Sequence, residues 1–267
     1  MLSTSPVVSP ARVTFDSNVW QQAVMPSLAR KTELFADFVT IHDALQANQI
    51  QGFICETVGT LEAIRNVGRK AYFTSIKPKV NVQVVNATHG QALLKIDIGV
   101  THDQHPGLHS VLEQRLQLAI ALGMRLMRAP RMAIPVPAPM LNLSVFADET
   151  DVPTSAARDN RWGDVMETIE QRGVGSALLR SLQQKAGGRA DAIDDKGFAR
   201  AIAEWADGDS VAAHVAYNND LFCTEDLGKS TGNSSIFDAS NRQWLAATYA
   251  IRFATVRELA ERLRITN

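Results

Sequence analysis

Acidic residues near both ends of this 267-residue chain have the side-chain chemistry to hold a divalent metal ion. Asp16 ends one apolar run, Asp226 follows another, and Asp209 opens the helical run before Asp226. Glu56 and Glu62 lie where a third apolar run passes into a helix, and either could supply a fourth carboxylate. Open α/β sheets place their chemistry at the carboxyl ends of strands, and Mg²⁺ and Mn²⁺ prefer oxygen ligands. The sequence therefore predicts a carboxylate cluster that binds one of these ions.

The elements that must position these carboxylates follow from hydrophobic periodicity. Short strands are predicted over residues 13–16, 51–55 and 221–224, and a further strand over 243–252. Helices are predicted over residues 27–46, 108–128, 196–205, 209–217 and 255–263, and over a segment that Thr57 caps and that carries Glu62. Thr255 and Glu258 form the capping-box pattern of a helix start.

The middle of the chain has a different pattern. Residues 80–85 and 93–100 alternate in polarity, and the turn-forming residues 86–90 between them predict a β-hairpin. Residues 130–139 are proline-rich and are expected to run extended over the surface. The chain ends thus predict one α/β core, residues 11–70 and 196–267, with residues 71–195 as an insertion of a hairpin, a proline-rich connection and helices.

Two segments resemble the PIN-domain nucleases. The first is Val-Thr-Phe-Asp16-Ser-Asn18-Val, and the second is Asp209-Ser-Val-Ala-Ala-His-Val-Ala-Tyr, continued by Asp-Leu-Phe-Cys-Thr224-Glu-Asp226. Members of the family begin with Asp-x-Asn or Asp-x-Ser after a strand. They end with an Asp that opens an Ala-rich helix, followed by a strand and Thr-x-Asp. The similarity covers residues 11–70 and 196–267, and the compact members have no counterpart of residues 71–195.

The resemblance implies a three-layer α/β/α fold and a nuclease site. It implies Asp16, Asp209 and Asp226 as metal ligands with Asn18 or Thr224 as polar support, and Glu62 or Glu56 as the fourth carboxylate. It also implies Mg²⁺- or Mn²⁺-dependent hydrolysis of phosphodiester bonds, in which the metal activates water and neutralises charge on the phosphate. RNA is the expected substrate, because most of the family are ribonucleases. Arg65, Arg69, Lys70, Lys77 and Lys79 are candidate phosphate contacts, or else a solvated basic face.

The same carboxylates have ordinary structural interpretations. Asp16 could belong to a simple turn, Asp209 could cap a helix after Gly208, and Asp226 could be a turn residue before Gly228. A catalytically weak scaffold that holds RNA or a protein is therefore the alternative to a nuclease. The family also contains toxins held by an antitoxin, so an antitoxin-like protein partner or a homo-oligomer is a further hypothesis.

Two other motifs indicate different chemistry. Arg172-Gly-Val-Gly175-Ser-Ala177 resembles the acetyl-CoA loop of acetyltransferases, but residues 162–171 before it have a helical pattern where that family has a strand. A corner between two helices is the favoured interpretation. His102, His105 and His109 fit no familiar closed zinc site, and a polar loop before a helix is favoured there.

The composition is ordinary for a soluble globular protein. Hydrophobic residues make up 45% and charged residues 21%, and the formal net charge is −1 from 27 basic and 28 acidic side chains. This balance argues against a highly basic nucleic-acid coat protein but allows a local basic groove. Two cysteines cannot form a disulfide framework, and we find no secretory signal and no apolar run long enough to span a bilayer. A cytoplasmic protein without membrane partners is expected.

Overall fold

The fold is built on a parallel sheet that joins the two ends of the chain. A computed structural model describes residues 10–64, 66–88, 91–101, 107–130, 140, 152–228 and 235–266. The described strands are β1 (Ala11–Phe15), β2 (Ile50–Cys55), β3 (Lys77–Thr88), β4 (Gln91–Thr101), β5 (Arg125–Met127), β6 (Leu221–Cys223) and β7 (Phe253–Ala254). Five of them form a wholly parallel sheet in the order β5-β2-β1-β6-β7. The predicted α/β fold with a mostly parallel central sheet is confirmed.

Helices cover both faces of the sheet and complete the predicted three-layer α/β/α arrangement. Those described are α1 (Trp20–Val24), α2 (Phe35–Gln46), α3 (Thr57–Thr60), α4 (Asn66–Ser75), α5 (Ser110–Ala121), α6 (Val152–Gln171), α7 (Ala177–Lys185), α8 (Asp195–Ala216), α9 (Ala239–Tyr249) and α10 (Val256–Thr266), with 3-10 turns at Pro26–Ala29 and Ala190–Ala192. One apolar core joins α1, α2, α5 and α10 to one face of the sheet. Another joins α6, α8 and α9 to the opposite face.

The alternation of side chains along β1 shows why this strand is central. Val13 and Phe15 are buried in the core on the α2 side, while Thr14 points toward α8. There the Thr14 hydroxyl lies 2.8 Å from His214 Nδ1 and accepts a 2.8 Å hydrogen bond from the Asn219 amide. Burial lowers the pKa of His214 to about 3, so this imidazole is neutral at physiological pH. Thr14, His214 and Asn219 thus form a satisfied polar contact that ties α8 to the middle of the sheet.

Helix α8 corrects the predicted boundary at Asp209. Two helices were expected, with Asp209 opening the second, but Asp195–Ala216 is continuous and Asp209 lies in its interior, 1% exposed. The N-cap is Asp194, whose carboxylate accepts a hydrogen bond from the Gly197 N–H at 2.8 Å. Gly208 would ordinarily weaken a helix. Here it allows the helix backbone to approach Gly175, where a Cβ on Gly208 would lie 3.1 Å from the Gly175 Cα.

Three other predicted elements are wrong in part. The helix expected over residues 27–46 begins only at Phe35, after the 3-10 turn Pro26–Ala29. The helix expected over residues 108–128 ends at Ala121, because Gly123 adopts a φ of 80° that interrupts it, and β5 follows. The strand expected over residues 243–252 is instead mostly helix α9. Its N-cap Asp238 accepts a 2.8 Å hydrogen bond from the Asn241 N–H, and Ala250 ends it at a φ of 57°. The strand that forms in this part of the chain, β7, contains two residues and begins just after the predicted range.

The predicted hairpin is confirmed as antiparallel β3 and β4, with an irregularity between Val84 and Asn86. Residues 89–90 of its predicted turn and residues 131–139 of the proline-rich stretch lie outside the described residues. The predicted insertion over residues 71–195 is only partly a separate unit. It supplies strand β5 to the central sheet, and α5 and α6 contribute to the two cores.

The predicted capping box at the last helix is confirmed. The Thr255 N–H donates to Glu258 Oε2 at 2.8 Å, and the Glu258 N–H donates to the Thr255 hydroxyl at 3.2 Å. The predicted cap at Thr57 is not seen, because Thr57 is the first residue of α3 and the N-cap position is Glu56. None of the helices among the described residues has the length and apolar character to cross a membrane.

The close approach of Gly208 to Gly175 predicts that replacing a helical glycine by alanine has opposite effects on stability at Gly208 and at Gly163. Gly208→Ala should destabilise the protein by about 1–3 kcal/mol, since the added methyl meets a backbone atom that cannot rotate away. Gly163→Ala, in helix α6 with nothing within 4 Å of the added methyl, should stabilise it by about 0.5–1 kcal/mol. Urea unfolding of both variants measures the difference, and equal effects would contradict the close packing of α8 on this turn.

Candidate active site

The residues that directly follow the five parallel strands form a row at one edge of the sheet. In sheet order they are Arg128, Glu56, Asp16, Thr224 and Thr255. Three backbone hydrogen bonds extend the strand ladders into this row: Glu56 N–H to Met127, Asp16 N–H to Cys223, and Thr224 N–H to Ala254, all between 2.9 and 3.0 Å. The sequence therefore places polar side chains side by side wherever a buried strand ends.

Asp16 occupies the point where the order of the sheet reverses. From β1 the chain builds outward to β2 and β5 on one side, and later to β6 and β7 on the other. Such a reversal opens a crevice at the carboxyl ends of the central strands, and this crevice is the usual ligand site of open α/β sheets. The predicted position of Asp16 at the end of a strand is confirmed, and the neighbouring strand β6 leads to Thr224.

Asp16 is held in one orientation by residues from both ends of the chain. Its Oδ2 accepts a 2.6 Å hydrogen bond from the Thr224 hydroxyl, and its Oδ1 accepts a 2.7 Å bond from the Ser17 N–H. Asn18 supports the same corner, because its Oδ1 accepts from the Glu225 N–H at 3.3 Å and its amide lies 3.5 Å from the Thr224 hydroxyl. Thr224 and Asn18 thus occupy the supporting positions that the resemblance implies.

Three carboxylates, including that of Asp16, line one narrow crevice. They belong to Asp16, Glu62 and Asp207, and Ser17 and Ser210 line the same crevice. Glu62 was expected on the first turns of a helix, but it lies in the turn that follows α3, with its N–H bonded to the Thr57 carbonyl at 3.0 Å. Asp207 lies inside α8. The structure therefore brings together two predicted residues and one that was not predicted.

Burial and mutual repulsion favour protonation of these groups. Burial raises the pKa of Asp16 to about 6, against the hydrogen bonds from Thr224 and Ser17 that lower it. Burial, and then the charge of Asp16, raise the pKa of Glu62 to about 7. Burial raises the pKa of Asp207 well above its ordinary value, and the charges of Asp16 and Glu62 add to the effect. A cation in the crevice would relieve this repulsion.

Asp226 does not line the crevice and faces its own turn. Its Oδ1 accepts a 2.6 Å hydrogen bond from the Gly228 N–H, and its own N–H donates to the Thr224 hydroxyl at 3.0 Å. This is the turn role that the sequence also allowed. Its charge nevertheless raises the pKa of both Asp16 and Asp207. Asp226 therefore contributes negative potential at the site.

Asp209 and Glu56 belong to a different cluster. Asp209 does not line the crevice, and its charge acts instead on Cys55 and Glu56, whose pKa values are raised first by burial. The Glu56 carboxylate accepts a 2.8 Å hydrogen bond from the Ala129 N–H and lies 3.6 Å from the Arg128 guanidinium. Between Glu62 and Glu56, the structure thus selects Glu62 for the crevice. It replaces Asp209 with Asp207.

Helix geometry explains the exchange of Asp209 for Asp207. At 3.6 residues per turn, side chains two positions apart point in directions about 160° apart, so Asp207 and Asp209 cannot face the same crevice. Asp207, Ser210 and His214 share one face of α8: the first two line the crevice, and His214 contacts Thr14 of β1. A polar residue at i, i+3 and i+7 of an otherwise apolar helix was the signal for Asp207. It was missed because the helix was expected to begin at Asp209.

The donor chemistry of the crevice fits a hard divalent cation. Carboxylate and hydroxyl oxygens from Asp16, Glu62, Asp207 and the two serines are the ligand types that Mg²⁺ and Mn²⁺ prefer. Among the described residues, no group of three or more His, Cys, Asp or Glu side chains stands in a coordinating arrangement. The free volume of the crevice is close to 0 Å³. A bound ion would therefore displace protons and move the carboxylates apart.

The basic residues after Glu62 have structural contacts. The Arg69 guanidinium donates to the backbone carbonyls of Ile64 and Glu62 at 3.1 and 3.2 Å, and Lys70 lies 3.5 Å from the Asp195 carboxylate. Arg69 therefore braces the turn that carries Glu62, whereas Lys70 ties α4 to the start of α8. Arg65 lies outside the described residues.

The loop that resembles an acetyl-CoA site is a helix corner. It joins α6 to α7, with no strand before it in this described region, and the Gly175 N–H donates to Glu204 Oε1 at 3.1 Å. That amide is therefore not free to bind a phosphate, and the interpretation as a corner between helices is confirmed. His109 is the N-cap of α5, and its Nδ1 accepts from the Val111 N–H at 3.2 Å, whereas His102 and His105 lie outside the described residues.

Comparison of the chain with protein-family models, with curated proteins and with solved structures finds no match. The assignment of a function therefore depends on the geometry of the crevice and on the residues that form it.

The raised pKa values predict how the stability of the metal-free protein changes with pH. Asp16 and Glu62 bind more protons in the folded state than in the unfolded state between their ordinary pKa values and about 6 and 7. Their contribution to stability is therefore fully present below about pH 4 and is lost as the pH rises to about 7. In EDTA, we expect the free energy of unfolding in urea to fall between about pH 4 and pH 7 and to level off above that range. The contribution of His214 has the opposite sign, because its pKa is lowered from 6.5 to about 3: it makes the free energy of unfolding rise with pH between these two values.

A substitution at Asp207 should reduce this pH dependence. Asp207→Asn removes one of the repelling charges and should stabilise the metal-free protein at pH 8 by roughly 1 kcal/mol, or about 2–4 °C in Tm. Asp43→Asn removes an equal charge from an exposed position on α2 and should change neither the Tm nor its pH dependence. A lower Tm for Asp207→Asn at pH 8 would contradict the repulsion.

Proposed function

We propose that this protein is a Mg²⁺- or Mn²⁺-dependent nuclease whose site is the crevice of Asp16, Glu62 and Asp207, with Asp226 close by. The observation that carries the proposal is the position of the three carboxylates at the carboxyl edge of β1, where the order of the sheet reverses. Burial raises the pKa of all three groups, the charge of Asp16 adds to the effect on Glu62, and both charges add to the effect on Asp207, so the arrangement is better suited to a cation than to an apolar ligand.

Each residue of the crevice has a distinct role in this proposal. Asp16 would supply one ligand oxygen whose direction is fixed by the hydrogen bonds from Thr224 and Ser17. Glu62 and Asp207 are more exposed than Asp16 and can rotate to complete the set. When bound, the metal would lower the pKa of a water molecule and neutralise charge on the scissile phosphate. The Asp16 and Glu62 carboxyl groups, with pKa values near neutrality, release protons as the ion binds.

RNA is the substrate that the resemblance to PIN-domain nucleases implies, and we propose it here for that reason. The negative crevice itself does not attract RNA, so binding of the phosphates depends on the metal and on basic groups outside it. The two cysteines are free and buried, which fits the reducing cytoplasm that we propose as its location.

A catalytically weak scaffold with this fold is the second candidate. The observation that favours it is the absence, among the described side chains, of a ready coordination shell in the narrow crevice. Such a protein would bind RNA or a protein partner, including an antitoxin-like one or a second copy of the chain. Metal binding separates the two candidates, because the scaffold has no need of an ion.

The nuclease proposal predicts which substitutions abolish metal binding. Isothermal titration with Mn²⁺ at pH 7.5 should detect binding to the parent protein that Asp16→Asn and Asp207→Asn reduce by at least about tenfold, the loss of one charged ligand. Asp226→Asn should weaken binding less, because Asp226 faces its own turn. Asp209→Asn and Asp43→Asn should bind Mn²⁺ like the parent, provided that each variant keeps its far-UV circular dichroism.

The same proteins are then assayed for cleavage of single-stranded RNA with and without EDTA. We expect cleavage by the parent, by Asp43→Asn and by Asp209→Asn, and at least about a hundredfold loss in Asp16→Asn and Asp207→Asn. Mn²⁺ binding that survives Asp207→Asn but not Asp209→Asn would show that the ion lies in the other acidic cluster. No Mn²⁺ binding by the parent would favour the scaffold.

A further inference from the structure

A second cavity lies beside the acidic crevice at the same edge of the sheet. Its volume is about 290 Å³, and its walls include Thr224, Leu227, Arg242, Phe253, Thr255 and Glu258. Thr224 joins the two sites, because its hydroxyl donates to Asp16 Oδ2 at 2.6 Å and the same residue lines the cavity. A ligand that runs along the edge of the sheet from β1 to β7 would therefore pass from the carboxylates into this cavity.

Arg242 gives the cavity a positive group with unused hydrogen-bonding capacity. The residue lies in the first turns of α9, and its Nε is shielded from solvent without a hydrogen-bond partner among the described residues. A guanidinium has five N–H donors in a planar fork that matches the oxygens of a phosphate. A shielded charged donor without a partner is unfavourable, and an anion in the cavity would satisfy it.

The other walls suit the base and sugar of a nucleotide. Phe253 is half-buried, and its position is fixed by the Phe222 ring, whose centroid lies 5.6 Å away. With Leu227 it offers an apolar surface of the kind on which bases of single-stranded RNA pack. Glu258 is the acidic group of the wall, but its Oε2 already accepts from the Thr255 N–H at 2.8 Å and its charge faces the start of α10.

We propose that this cavity binds the nucleotide next to the scissile phosphodiester of a single-stranded RNA, with Arg242 paired to its phosphate and Phe253 against its base. The size of the cavity is near the lower end for small-molecule sites, which fits one nucleotide and not a duplex. The inference rests on the proposed nuclease function, since the adjacent carboxylates define where cleavage would occur. It adds a recognition element that the acidic crevice lacks.

The test is binding of a short fluorescein-labelled single-stranded RNA in EDTA, measured by fluorescence anisotropy. Arg242→Gln should raise the Kd by about tenfold, the loss of one charge-assisted pair, and should lower the salt dependence of binding. The matched control is Arg161→Gln, which removes the same charge from an exposed arginine of α6 that lines a different pocket, and which should leave the Kd unchanged. Thermal unfolding checks that both variants are folded.

Competition and cleavage separate this proposal from the nuclease proposal. Uridine 5′-monophosphate should displace the labelled RNA at a concentration at least about tenfold lower than inorganic phosphate, because only the nucleotide contacts Phe253. Equal competition by the two, or parent-like binding by Arg242→Gln, would overturn the subsite even if the parent cleaves RNA. Weakened binding by Arg242→Gln, together with no metal-dependent cleavage by the parent, would keep the nucleotide site and reject the nuclease.

Discussion

The parallel pairing of Ala11–Phe15 with Leu221–Cys223 holds the two ends of the chain together and positions the candidate site. It joins residues about 200 positions apart, and it ends with the Asp16 N–H bonded to the Cys223 carbonyl and the Thr224 hydroxyl bonded to the Asp16 carboxylate. Because β1 lies in the middle of the sheet, the helices on both faces pack against it. The candidate site and its neighbouring cavity both adjoin this one contact.

The same contact creates an electrostatic conflict. Asp16 is buried at the strand end, and Asp207 and Glu62 approach it from a helix and a turn that other parts of the core hold in place. Packing three carboxylates together opposes folding, and the charge of Arg69, which lowers the pKa of Glu62, offsets this only in part. Residues that destabilise the folded state are common at functional sites, because a binding or catalytic site can require an arrangement of side chains that is unfavourable for stability. The crevice is therefore the part of the molecule where function is to be sought.

Much of the fold could be predicted from the sequence because its signals are local. Strand β1 with Asp16 at its end, strand β6, the hairpin of β3 and β4 and the capping box at Thr255 all follow from alternation, turn residues or a short capping pattern. The failures have tertiary causes. Gly208 looked like the end of a helix, yet packing against Gly175 makes a glycine necessary inside one. The helix Ala239–Tyr249 was predicted as a strand because its cap at Asp238 was not recognised.

The candidate site was predictable in its chemistry but not in its full membership. Asp16, Thr224 and Asn18 are positioned by strand ends and by bonds between the two terminal segments, and these were visible as motifs. Predicting Asp207 required knowing where α8 begins and which of its faces packs on the sheet. Because a new helix was expected to begin at Asp209, that residue was chosen in place of Asp207. Arg242 could not be anticipated, because its role depends on a cavity between β6, β7 and α9.

Anomalous diffraction from a Mn²⁺-soaked crystal would show whether an ion binds between Asp16, Glu62 and Asp207. We expect an anomalous peak within about 2.5 Å of an Asp16 carboxylate oxygen and of an oxygen of Glu62 or Asp207, with these side chains moved apart. A peak at Glu56 and Asp209, or no peak at this edge of the sheet, would contradict this expectation.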